Sequence, residues 1–190
     1  MSKIIDLSNF VQGFLSVFTK PSGELFLRLL EGWILCPCRR FVTSIFSFGD
    51  PDSLHKHDSY HRFFRASAWV SEKFFYALAK FVISFLPTDN IIDLIGDDTV
   101  HKKTGTEVDG AKSCRDAVRS TTAKIAFVWG LQIILLCVCF PSPWGGEPLA
   151  LPINLRLYRK RIDKTVDPSL LDLMKEMLDE VVSWFPERSF

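Results

Sequence analysis

The sequence predicts an α+β fold in which helices come first and a small antiparallel sheet follows. Three observations carry that prediction. Up to Pro87, apolar residues recur at helical spacing. After Pro87 the apolar runs shorten or alternate with a period of two. From Asp167 the helical period returns and lasts to Pro186.

In the first stretch, "LSNFVQGFLSVF" places Leu7, Phe10, Val11, Phe14, Val17 and Phe18 on one helix face. Pro21 and Gly23 punctuate it. "ELFLRLLEGWIL" repeats the pattern through Leu25, Phe26, Leu29, Leu30 and Trp33, and Pro37 breaks it. "FGDPDSLHKHDS" is a polar loop. "YHRFFRASAW" is a third helical segment ending near Trp69, and Ser71 is placed to cap "SEKFFYALAKFVISFL", which Pro87 ends. His55, His57 and His61 tempt a metal reading, but no cysteine or Glu-x-x-His pattern joins them, so a polar loop and helix start account for them.

"NIIDLIGDD" reads as a strand ending on Asp97 and Asp98, and residues 101–123, polar and glycine-bearing, read as a long loop. Residues 125–140, "IAFVWGLQIILLCVCF", fit a strand buried on both faces. "PSPWGGEP" turns the chain into 149–159, where Leu149, Leu151, Ile153, Leu155 and Leu157 alternate with Ala150, Pro152, Asn154, Arg156 and Tyr158. Pro152 marks this strand as an edge or a late starter. The short turn makes the last two strands antiparallel. Asp167 is the expected N-cap of the final helix, with Pro168 its first residue. Leu170, Met174, Met177, Leu178, Val181 and Phe185 form its apolar face, with Asp172, Lys175, Glu176, Asp179 and Glu180 opposite. Three strands and one helix leave a sheet face and an edge bare, so further chain is expected after residue 190.

Composition narrows the function classes. The chain is 47% hydrophobic and 24% charged, which suits a packed core rather than disorder. From Thr99 to Ile162 there are ten Lys/Arg against four Asp/Glu; from Asp163 to Phe190 there are three against seven. A basic middle suggests an anionic partner, and an uneven solvated surface explains it equally well. The five cysteines include Cys36-Pro-Cys38 and Cys137-Val-Cys139 but lack a second zinc-binding half. Cys137 and Cys139 read as small core residues. No disulfide framework stands out, which favours a reducing cytoplasm. The N-terminus makes a poor signal peptide. Residues 125–140 are short of the roughly 20 apolar residues a spanning helix needs, so a small membrane protein is a minor reading.

The stretch "LIGDDTVHKKTG" carries the chemistry. Carboxylates beside a basic loop suit Mg²⁺, which prefers hard oxygen ligands and shared substrate phosphates. Lys102, Lys103, Lys112, Arg115 and Arg119 suit a phosphate backbone. Acid pairs at strand ends are common in ordinary turns, where they need no metal, and on the pattern alone the turn is the favoured reading. Successive strand residues face opposite ways, so Asp97 and Asp98 cannot both serve one face.

Several stretches in order resemble the DDE transposases of bacterial insertion sequences. "LLEGWILCPCRRFVTSIF" and "SYHRFFRASAW" are similar to the N-terminal helical blocks of one such group. "GDDTVHKKTG" resembles the first catalytic block, followed by "SCRDAVRS", and "ALPINLRLYRKR" resembles the third core strand. The resemblance implies a helical region over 1–87, open to a DNA-binding role, and a truncated RNase H-like core over 88–190, with three antiparallel strands and one helix. It implies two-metal phosphoryl transfer using Mg²⁺, with Asp98, the acid before Thr99, as the catalytic metal ligand and Asp97 as its neighbour of less defined role. The second Asp and the Glu of that triad are not matched. Glu176 and Glu180 belong to the first core helix and cannot replace them. The expected protein is then a cytoplasmic, truncated transposase, inactive alone. Its partners are transposon-end DNA and either a full-length transposase or a separately encoded C-terminal half. The alternative is a regulator that binds DNA or a full-length transposase without cutting. An Asp-nucleophile phosphotransferase would want Asp-x-Asp, where this chain has Thr99 and Val100.

Overall fold

The computed structural model describes residues 7–66, 68–88, 91–159 and 167–190. The chain divides into two compact units, Met1–Phe81 and Val82–Phe190. The first contains α1 (Leu7–Leu15), α2 (Lys20–Leu35), α3 (Val42–Gly49) and α4 (His57–Ala66); α5 (Ser71–Ile83) runs across the division. Val11, Phe14 and Leu29 are buried, as the helical period predicts. The side chains of Leu7 and Phe10 lie outside the described residues. Pro21 does not separate helices. It stands in the first turn of α2, where its missing N–H leaves no intrahelical bond unmade. Ser71 is the first helical residue of α5 rather than a residue ahead of it, and α5 stops at Ile83, short of Pro87.

Helix α3 is too short for periodicity to isolate. What seats it is backbone contact: a Cβ on Gly32 would fall on the carbonyl oxygen of Ile45, and one on Gly49 on that of Arg28. This contact centres α2 on Leu29 and Gly32. Trp33, one residue round the helix, is therefore 52% exposed and not part of the face predicted for it. Leu29, Ile45, Tyr60 and Phe63 form the core, with Phe18, Phe26, Phe46 and Trp69 against it. The expected polar loop holds one buried acid, Asp50, whose carboxylate accepts from Tyr60 and from two backbone N–H groups.

Among the described residues the second unit holds, beyond the end of α5, a four-stranded antiparallel sheet and one helix, α6 (Leu170–Trp184). β1 (Leu94–Lys102), β3 (Phe127–Phe140) and β4 (Leu149–Tyr158) pair as expected, with β3 central. Two expectations change. β1 does not end on the acids but continues to Lys102. The supposed loop 101–123 contains a further strand, β2 (Lys112–Arg115), which extends the ladder on β3. Four polar or small residues carry no period-two apolar signal, so only pairing with β3 reveals them. β3 is also less enclosed than predicted. Ile134, Leu136 and Val138 are buried, whereas Leu131, Ile133, Leu135, Cys137 and Cys139 between them are only half-buried. Among the described residues no helix is long and apolar enough to cross a membrane.

Pro152 accounts for a break in the alternation of β4. The register shifts by one residue there, so Cys137 pairs with Pro152 and Leu136 with Asn154. Ile153 and Asn154 are consequently both buried. After the bulge Asn154 and Arg156, expected on the polar face, lie under α6. Glu180, expected in solvent, turns in to meet them. It pairs with Arg156 and accepts from Asn154 Nδ2 at 3.0 Å, while Asn154 Oδ1 accepts from Arg156 Nη1 at 3.0 Å. The N-cap of α6 is Ser169, in a capping box with Asp172; Asp167 and Pro168 precede it. Glu180→Ala is expected to cost the second unit about 3 kcal/mol, because it strands a half-buried guanidinium and an amide. Urea unfolding checks this: an unchanged midpoint would show that the network contributes nothing.

Candidate functional site

The continuation of β1 sets the site. Asp98 lies opposite Ile134 and Asp97 opposite Leu135. Period-two alternation puts Gly96, Asp98, Val100 and Lys102 on the face that α6 covers, and Asp97 on the other. Gly96 is the seat of the helix: a Cβ there would come 2.6 Å from Met174 Cε. Asp98, two residues further along, is exposed. Its Oδ2 accepts a 2.7 Å hydrogen bond from Gln132 Nε2 on β3. Asp97 folds its Oδ1 back to the backbone N–H of Asp98 at 2.9 Å.

Beyond Asp98 a cavity of about 570 Å³ opens, lined by Asp97, Asp98, Lys102, Arg115, Asp116 and Arg119 among others. Three of the five predicted cations are thus brought to the acids. Lys112 and Lys103 do not line it. Lys112 sits on β2 with Nζ 3.6 Å from the centre of the Tyr158 ring, and its desolvation there lowers the ammonium below the ordinary lysine range against the pull of Cys114 and Asp98. Lys103 is half-buried and fixed by its backbone to Trp129. His57 and His61 approach to 3.3 Å between Nε2 atoms on α4. Among the described residues no group of three or more His, Cys, Asp or Glu is placed to hold a metal ion.

The model of the DDE superfamily endonucleases matches residues 14–190. The chain belongs to this superfamily. No curated protein and no solved structure matches it. For an endonuclease of this superfamily the partner is DNA and the general cofactor a divalent metal. Asp98 fits such an ion as a hard, exposed oxygen donor.

Two residues around this cavity escape a reading of the sequence. Gln132 is the one polar side chain inside the run 127–140, and that isolation was the available signal. Asp116 lies within "SCRDAVRS", where nothing local distinguishes it from a turn residue. Its carboxylate accepts from the backbone N–H of Arg119 at 3.1 Å and faces Lys102 Nζ at 3.3 Å. The Arg119 amide chiefly holds it below the ordinary Asp range against desolvation, and Lys102 adds to this.

Proposed function

We propose that this chain carries the first carboxylate, Asp98, of a DDE transposase active site, and that by itself it binds DNA without cutting it. The observation that carries the reading is the meeting of an exposed Asp98 with Lys102, Arg115 and Arg119 around one cavity, in a chain matched by the superfamily over residues 14–190. In the proposal Gln132 holds one oxygen of Asp98 in place, the three cations take the phosphate backbone, and residues 1–87 add a helical DNA-binding region. Bound divalent ions activate the attacking hydroxyl and stabilise the leaving oxygen in this class of chemistry. Such a pair of ions needs several converging carboxylates. With no group of three or more such donors among the described residues, Asp98 holds Mg²⁺ weakly, since the ion keeps most of its waters. The remaining acids come from another segment or a full-length transposase. A bacterial cytoplasmic setting, with insertion-sequence ends as the DNA, belongs to the same proposal.

The test is a nicking assay on supercoiled DNA with Mg²⁺ and Mn²⁺, alongside a Mg²⁺ titration followed by calorimetry. The expected result is DNA binding, no nicking and no tight stoichiometric Mg²⁺ uptake. Nicking by a monodisperse preparation, abolished by Asp98→Ala, would overturn the inactive reading.

A further inference from the structure

We propose that Asp116 is a built-in competitor for the phosphate contacts of this cavity: its carboxylate occupies Lys102 and Arg119 until a DNA phosphodiester takes its place. The inference rests on the DNA-binding reading above and concerns regulation of the same site. Asp116 Oδ1 accepts from the backbone N–H groups of Val118 and Arg119 at 3.2 and 3.1 Å. Its own backbone bonds to Ala126 and Ser120 fix the turn that follows β2. Its Oδ2 faces Lys102 Nζ at 3.3 Å and Arg119 Nε at 3.8 Å.

The exposures are unequal. The Asp116 side chain is 9% exposed, while those of Lys102 and Arg119 are 51% and 72% exposed. The anion is therefore built into the fold and the cations are free to change partner. A phosphodiester offers the same chemistry as the carboxylate, one negative charge over two unesterified oxygens. Exposed ion pairs are weak, so DNA can displace Asp116, but each contact is discounted by the pair it must break.

Asp116→Asn separates charge from structure, because its amide oxygen still accepts from the turn. Binding to a fluorescein-labelled DNA duplex is measured by anisotropy across a salt series. The expected result is that Asp116→Asn tightens binding roughly threefold to tenfold at low salt. The salt dependence should steepen by about 0.9 for each contact released. The gain should vanish when Lys102 and Arg119 are both replaced by Met. Asp116→Ser, which also keeps an oxygen for the turn, should repeat it, and thermal melts confirm that each variant is folded. Wild-type binding left unchanged or weakened by both Asp116 variants would overturn this inference alone. Absence of salt-dependent binding in the wild type and both variants would overturn the DNA-binding reading and this inference together.

Discussion

Gly32→Ala is expected to destabilise the first unit by at least about 3 kcal/mol, and Gly32→Leu to unfold it. The two helices touch backbone to backbone. A Cβ at Gly32 meets the Ile45 carbonyl, and the backbone N of Gly49 lies 3.0 Å from where that Cβ would stand. Neither neighbour is the flexible end of a side chain, so α2 and α3 must move apart. That movement opens the packing of Leu29 and Ile45, both buried. Gly49→Ala should behave alike, since its Cβ would fall on the Arg28 carbonyl. Gly13→Ala is the control. Beyond its chain neighbours and the adjoining backbone of α1, no atom lies within 4 Å of the added methyl, and the exchange should stabilise α1 by about 0.5–1 kcal/mol. Hydrogen exchange separates the units: amides of α2 and α3 should lose protection while those of β3 keep theirs. Wild-type protection in Gly32→Ala would show that the close approach is not required.

Asp50→Ala is expected to cost the same unit about 3 kcal/mol. The carboxylate is 2% exposed and accepts from the backbone N–H of Leu54 and His55, both at 2.9 Å, and from Tyr60 Oη at 2.7 Å. Removing it strands three donors. Desolvation pushes the carboxyl up, but the Tyr60 and backbone hydrogen bonds outweigh it and hold Asp50 below its ordinary value. The linkage then has a definite sign. Stability from a depressed carboxyl is present above its unfolded value, near pH 4, and is lost as pH falls through the lower folded value. Tyr60 works at the other end. Burial first, and then Asp50, raise its phenol above the ordinary value of 10.0. Its contribution is present below that value and is lost as pH rises from there through the folded value. Chemical unfolding from pH 7 down to 2 should show the acid loss in the wild type and a flatter profile in Asp50→Asn. Parallel profiles would remove Asp50 from the account.

The strands and helices with strong periods were legible because burial of one face imposes a period on the residues themselves. The runs 125–140 and 149–159 declared paired strands, and Met177 and Val181, with Phe185 at its C-cap, declared the face of α6 that is buried. The acid pair before Thr99 and the family-like blocks around it were legible in the same way, as local text. What the sequence could not declare was anything decided by a distant partner. β2 exists because Lys112–Arg115 finds the end of β3, not because its four residues prefer a strand. The bulge opposite Leu136 and Cys137 turns Asn154 and Arg156 towards Glu180, reversing the faces that alternation assigns. β1 runs past Asp98 to Lys102, and only then do Lys102, Arg115 and Arg119 meet at one cavity while Lys112 is drawn to Tyr158. Gln132 and Asp116 acquired their places through contacts 34 and 14 residues away in the chain, with Asp98 and Lys102 respectively. Local propensity and period are properties of neighbours along the chain. Ion pairs, registers and cavities are properties of neighbours in space, and the folded chain alone decides which residues those are.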